Sequence, residues 1–174
     1  MRRVLIVGSS GSGKTTLARA MAQRLAAPHV ELDALFHGPG WVPRESFVDD
    51  VDHATREDAW VVDGNYLPVR ELLWSRADTV VWIDLPRWLV EWQVVRRSLV
   101  RWLRDETLWN GNRERGPLAW LDPGHPVRWS WNKHAETRGR YGARFADPSW
   151  AHLRRVRLAT RAEVDAFVSA VPTR

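Results

Sequence analysis

The chain contains no cysteine, so neither disulfides nor thiolate metal sites contribute to its stability or chemistry. It has no long apolar run. The longest stretches are a few residues, far short of the ~20 needed to span a bilayer, and MRRVLIVG at the start has neither the length nor the cleavage site of a secretory leader. A cytoplasmic protein without membrane contact is the expectation. The six histidines include no i, i+4 pair, which argues against a helix-borne zinc site. Repeats and low-complexity tracts are also missing. Lysine is nearly so: of 26 basic residues only Lys14 and Lys133 are lysines, the rest being arginine.

What is present fits one ordinary globular domain of 174 residues, with 44% apolar and 27% charged side chains. That balance excludes a disordered chain. A net charge of +5 favours phosphate-bearing partners, nucleic acid among them, although a general preference for arginine explains the charge equally well. Twelve tryptophans are scattered along the chain and read mostly as core or rim packing.

Hydrophobic patterning alternates strands with helices. RVLIV at 3–7 predicts a strand ending at Gly8, and GKTTLARAMAQRLA a helix with Leu17, Met21 and Leu25 on one face. HVELD at 29–33 reads as a second strand, ALFHGPGWVP as a loop, and 44–58 as an amphipathic helix. AWVVDG at 59–64 and DTVVWIDLP at 78–86 are a third and a fourth strand, with a brief helix opened by Pro68 between them. Pro86 starts a long helix to about residue 104, with Trp88, Trp92, Val95, Leu99 and Trp102 on one stripe and Arg97, Arg101 and Arg104 on another. Residues 105–125 break the pattern and read as either a functional lid or a mobile insert. A basic helix follows, then a strand at 153–159, and a last helix whose Thr160 and Glu163 form a capping box. This order argues for an α/β layered fold with a mainly parallel sheet.

GSSGSGKTT at 8–16 matches G-x-x-x-x-G-K-[ST] between a predicted strand and a predicted helix. Glycines let the backbone curl so that successive N–H groups of Gly8, Ser9, Ser10, Gly11, Ser12 and Gly13 face phosphate oxygens, and the helix start adds its positive dipole end. Lys14 supplies a compact mobile charge, Thr15 a hydroxyl for Mg²⁺, and Thr16 completes the cradle. A planar guanidinium is poorly shaped for the interior of such a loop, which explains why an arginine-rich chain keeps lysine here.

Ligands of open parallel sheets bind at the carboxyl ends of strands, where Asp33, Asp63 and Asp84 are expected. Asp63 is the candidate to hold Mg²⁺ through water, with Asp84 as its competitor. Asp33 is placed to orient an acceptor hydroxyl and take its proton.

GSSGSGKTT, ELD, VVDGNY, DTVVWIDLP and LWNGNRE together resemble the adenylate-kinase-like P-loop kinases, most nearly the group called DNA topology modulation protein or FlaR-type kinases. The resemblance covers about residues 3–158. It implies a three-layer P-loop NTPase fold with a five-stranded parallel sheet of order 2-3-1-4-5, a helical and loop lid, and transfer of the ATP γ-phosphate. VVDGNY followed by a proline after the next strand is similar to the adenylate kinase pattern and implies Asp63 as the metal ligand. ELD is similar to the D-x-D of shikimate and gluconate kinases, with Glu31 in place of the first aspartate and Asp33 matching the one that contacts the acceptor. DGNYLPVR replaces the DGFPR of true adenylate kinases, displacing the nucleotide-monophosphate arginine to Arg70.

Charge developing on a transferred phosphoryl group calls for arginines from a closing flap, with Arg113 and Arg138 preferred. Arg97 and Arg101 are candidates for stacking on adenine or contacting phosphate. Phe36, Trp41, Tyr66 and Arg70 are candidate walls of the acceptor pocket. The leading expectation is an ATP- and Mg²⁺-dependent kinase of a hydroxyl compound or a nucleotide monophosphate. A nucleotide-hydrolysing regulator bound to nucleic acid is the alternative.

Overall fold

The computed structural model describes residues 1–64, 66–122 and 125–173. Asn65 of VVDGNY and Pro123 and Gly124 of the 105–125 segment lie outside the described residues. Five strands, β1 (Arg3–Gly8), β2 (His29–Glu31), β3 (Trp60–Asp63), β4 (Thr79–Ile83) and β5 (Arg154–Leu158), form one sheet of order β2-β3-β1-β4-β5. All four pairings are parallel. The central strand β1 is flanked by β3 and β4, whose valines and tryptophans are buried on both faces. Near-continuous apolar runs are what a sheet covered on both sides requires.

Helices α1 (Lys14–Leu25), α2 (Leu32–Phe36), α3 (Phe47–Ala54), α4 (Arg70–Arg76), α5 (Arg87–Leu103), α6 (Pro126–Ala146) and α7 (Arg161–Ala170) cover the sheet. One core layer joins Val4, Ile6, Val81 and Ile83 to Leu17 and Met21 of α1, Val90 and Val94 of α5, and Val164 of α7. The opposite layer joins Leu5, Val7, Val62 and Trp82 to Leu32, Phe47, Val51, Trp74 and Tyr141. Thr160 and Glu163 form the expected reciprocal capping box at the start of α7.

The stretch after β2 differs from expectation. HVELD reads as five residues of strand, but β2 ends at Glu31, and Leu32 begins helix α2 inside the expected loop. Leu32 is fully buried against Phe47 and Val51, and that tertiary contact turns the chain one residue before Asp33. Asp33 therefore sits on a first helical turn, not at a strand end. The 44–58 helix is shorter than read, and Pro68 lies in a single 3-10 turn, Leu67–Val69, ahead of α4.

Of the tryptophans, only Trp60, Trp74 and Trp82 are buried. The stripe on α5 is exposed to solvent, so the reading of most tryptophans as packing fails there. The 3.5-residue spacing is genuine, but the face that meets the protein is the neighbouring one, Val90, Glu91, Val94 and Ser98. Among the described residues no helix is long and apolar enough to cross a membrane.

Candidate active site

The loop after β1 curls as its glycines demand. Gly8, Gly11 and Gly13 take φ of 149°, 79° and 96°, conformations that L side chains rarely adopt. A methyl on Gly11 would stand 2.2 Å from Val94 Cγ2, and one on Gly8 would stand 2.6 Å from the Ile83 carbonyl oxygen. The loop is thus pressed between β4 and α5. Gly13 caps α1, leaving the helix N-terminus open toward the loop. Ser12 Oγ is buried without a hydrogen-bond partner, an orphaned polar group of the kind a bound polyphosphate satisfies.

Lys14 Nζ donates to the Ser9 carbonyl at 2.9 Å, folding across its own loop. Desolvation draws its pKa below the ordinary lysine value, opposed by the pull of Asp33 and Asp63 and aided by Arg97. These four charges share one neighbourhood. Arg97 reaches the loop at Ser10 Oγ, 3.5 Å away, and burial likewise lowers its pKa. Ser9 and Ser10 are in the loop, and Thr16 faces solvent on the first turn of α1.

Asp63 ends β3 beside Ile6 of β1. Its Oδ2 accepts from Thr15 Oγ1 at 2.7 Å, and its Oδ1 lies 2.7 Å from His29 Nε2. Asp84, the competing carboxylate, is engaged elsewhere. It pairs with Arg138 Nε at 3.2 Å and with the Arg157 guanidinium, a strut between β4, β5 and α6. The donor set of Thr15 and Asp63 beside the glycine loop fits a magnesium triphosphate, which supplies the phosphoryl group and an electrophilic metal when bound. Thr15 and Asp63 would hold the metal, and the loop amides with Lys14 and Arg97 would hold the phosphates.

Asp33 Oδ1 accepts from Tyr66 Oη at 2.6 Å, and Tyr66 Oη lies 3.3 Å from His37 Nε2. Burial and the Asp33 charge push the Tyr66 phenol far up, so it remains a donor. Phe36 packs on Tyr66 with ring centroids 4.4 Å apart, and Trp41 meets His37 edge-on at 5.1 Å. Phe36, Trp41 and Tyr66 are therefore gathered around Asp33. Arg70 is not among them. It lines a small gap with Tyr66, Trp74 and Tyr141, and burial lowers its pKa.

Residues 109–112 of the 105–125 segment lie on the Asp33 side. Asn112, buried, donates to the Gly38 carbonyl at 2.9 Å and accepts from Trp41 N at 3.0 Å, while Asn110 donates to the His37 carbonyl. Trp109 stacks on His37 at 6.1 Å. Arg101 takes part through Glu114, 3.7 Å away, and through the Trp109 ring at 5.7 Å. The preferred arginine pair does not converge on the loop: Arg113 pairs with exposed Asp105, and Arg138 pairs with Asp84.

Three contributors escaped the sequence reading. His29 carries no motif, and only the parallel register that sets His29 beside Val61 brings it to Asp63. Asn112 was quoted within LWNGNRE without a role. Arg161, in the capped start of α7, places its guanidinium against Gly13, 3.0 Å from where a side chain there would begin.

Residues 4–45 match the model of the ATPase family associated with various cellular activities, AAA. No curated protein matches the chain by sequence. The fold is that of solved small-molecule kinases. A shikimate kinase from Bacteroides thetaiotaomicron is similar at a TM-score of 0.55 and 15% identity, over 97% of this chain and 94% of that one. A gluconokinase from Sinorhizobium meliloti 1021 is similar at 0.53 and 17%, over 97% and 91%. A shikimate kinase from Acinetobacter baumannii in complex with shikimate is similar at 0.58 and 16%, over 97% and 89%. At such identities the likeness is one of fold: a three-layer α/β P-loop kinase architecture.

Proposed function

We propose that the chain is an ATP- and magnesium-dependent phosphotransferase, adenylate-kinase-like in class and near the FlaR-type group, acting in the cytoplasm on a small hydroxyl compound. The observation that carries this reading is the meeting of Lys14, Asp33, Asp63 and Arg97 at the carboxyl edge of the sheet, where the other three act on the pKa of Lys14. One carboxylate serves the metal side through Thr15, and the other stands on the acceptor side through Tyr66.

The chain's own groups divide the work. The loop amides and Lys14 bind the polyphosphate, and Lys14 with Arg97 stabilises charge growing on the transferred group. Asp33, with one oxygen held by Tyr66, keeps the other for the acceptor hydroxyl and receives its proton as transfer proceeds. The segment 105–122 acts as the lid, excluding water that would otherwise compete with the acceptor. A hydroxyl acceptor is favoured over a nucleotide monophosphate because DGNYLPVR stands where adenylate kinases have DGFPR, so the arginine of that motif is displaced to Arg70. Arg113 and Arg138 could join the phosphates only on leaving Asp105 and Asp84.

The test is a screen of metabolite pools for compounds that stimulate ADP release. A slow basal ATPase accelerated by one acceptor is expected. Calorimetry that detects no heat with any purine triphosphate plus magnesium would overturn the reading.

A further inference from the structure

Helix α5 carries apolar residues on two faces. Its inner face, Val90, Glu91, Val94 and Ser98, is buried against the phosphate loop and α6. Its outer face presents Trp88, Trp92, Val95, Leu99 and Trp102, exposed by 72, 58, 36, 37 and 44%, with Leu103 beside them at 66%. The steps between the five alternate four and three residues. That repeat, averaging about 3.5 residues, is the seam of a coiled coil, which keeps one face of a helix turned toward a partner helix.

We propose that this stripe is a homodimer interface, in which α5 of one copy pairs antiparallel with α5 of a second copy about a two-fold axis. Area is the first argument. At about 150–250 Å² for each tryptophan and less for each aliphatic side chain, the exposed fractions leave on the order of 600 Å² of apolar surface in water. Two copies together then reach roughly the 1,200 Å² at which stable interfaces begin. Self-complementarity is the second. With the axis opposite position 97, Val95 meets Leu99 of the second copy on either side of the axis, and Trp92 meets Trp102 of the second copy beyond them. Small residues then lie where the helices approach and large ones fill the splay, symmetrically, as an isologous contact requires.

Charge gives the proposal a distinctive sign. Arg96 borders the stripe next to Val95, with its guanidinium 5.5 Å from its own Trp92 ring. The axis brings the two Arg96 side chains near one another, so they repel, and added salt tightens the dimer. An anionic membrane or a nucleic acid on the same Trp and Arg surface would respond in the opposite way, weakening as salt rises.

The experiment is sedimentation velocity of the full chain over a concentration series at low and high salt. A species of twice the chain mass, strengthened by salt, is expected. Leu99→Glu and Trp92→Ser should each weaken association by at least about tenfold. Arg96→Gln should strengthen it and flatten the salt response, and Val48→Glu, at an exposed apolar position on α3, should leave it unchanged. Circular dichroism confirms that each variant is folded, and the readout is independent of any kinase activity. A monomer at all concentrations, a dimer indifferent to both Leu99→Glu and Trp92→Ser, a dimer weakened by salt, or binding to anionic vesicles or DNA in place of self-association overturns the proposal.

Discussion

Thr15 and Asp63 are joined by a 2.7 Å hydrogen bond from hydroxyl to carboxylate, linking the first turn of α1 to the end of β3. His29 holds the second Asp63 oxygen at the same distance. Both oxygens are thus fixed in direction beside the phosphate loop. A metal partner that acts through water depends on such fixing, because a misdirected carboxylate loses the hydrogen bonds it would make to the metal's hydration shell. Asp63→Ala should raise the magnesium concentration needed for half-maximal ADP release by about 10–100-fold.

Asp84→Ala should leave the magnesium requirement close to that of the parent and act on stability. Its carboxylate is buried, and removing it frees Arg138 and Arg157, both about half exposed, to turn toward water. The expected loss is about 1–2 kcal/mol, read from a denaturant midpoint. If the magnesium titration ranks the two aspartates the other way round, the metal assignment belongs to Asp84.

Lys14→Ala should lower turnover by about 10²–10³-fold at least, with the fold retained, since the side chain contributes to the loop and to no core. Lys14→Arg should not restore it. The loop is pressed at Gly11 by Val94 and at Gly8 by Ile83, and a planar guanidinium is poorly shaped for the path Nζ takes in bonding to the Ser9 carbonyl. A Lys14→Arg variant with parental turnover would mean that positive charge alone, at no fixed position, suffices.

Asp33→Asn should suppress transfer to the acceptor while ATP affinity stays near its parental value, because the Asp33 carboxylate is hydrogen-bonded by Tyr66 and acts on Lys14 only through its charge. Tyr66→Phe should have a smaller effect of the same kind, since it leaves the carboxylate in place and removes the bond that holds Oδ1 together with the contact to His37 Nε2. Acceptor-stimulated and basal ADP release, measured side by side, separate the two roles. A fully active Asp33→Asn enzyme removes the acceptor assignment.

The glycine loop, Lys14, the β-strands and the capped helix α7 were legible because each is decided by local chemistry: glycine φ freedom, a short apolar run, a reciprocal cap. What the sequence did not show depends on what lies far away along the chain. Leu32 starts a helix because Phe47 and Val51 bury it, and no pattern within HVELD says so. Arg138 reads like a catalytic flap arginine, yet a carboxylate 54 residues earlier, Asp84, engages it. The α5 stripe has the period of a buried face, and periodicity does not tell a core from a partner.

His37 gives the contact between residues 109–112 and residues 37–41 a pH dependence with a definite sign. Its ring sits between Trp109, Trp41 and Phe36, and burial lowers its pKa from 6.5 against the raising influence of Asp33 and of a hydrogen bond the ring donates to the Trp41 backbone. The open loop binds a proton more readily than the closed one. The closed arrangement is therefore fully stable above pH 6.5, and it weakens as pH falls from that value toward the lower folded pKa. Protection factors at residues 107–113, which divide out the intrinsic pH dependence of amide exchange, should fall on acidification through that window. His37→Gln, which cannot take the proton, should leave them independent of pH there.

Asn112 tests the same contact without titration. Its side chain is 5% exposed and makes two bonds to backbone, donating to the Gly38 carbonyl and accepting from Trp41 N, so it ties 105–122 to the acceptor loop as a backbone strand would. Asn112→Ala strands both backbone groups at about 1–3 kcal/mol each if they stay buried, and less if the lid opens to let water reach them. Opening is the cheaper response for a segment held by so few contacts. The expected signature is faster exchange of the Trp41 amide, unaltered global unfolding, and a raised KM for the acceptor with kcat less affected. A variant whose Trp41 amide stays protected while the whole domain loses stability would show that Asn112 belongs to the core of the fold and not to a movable lid.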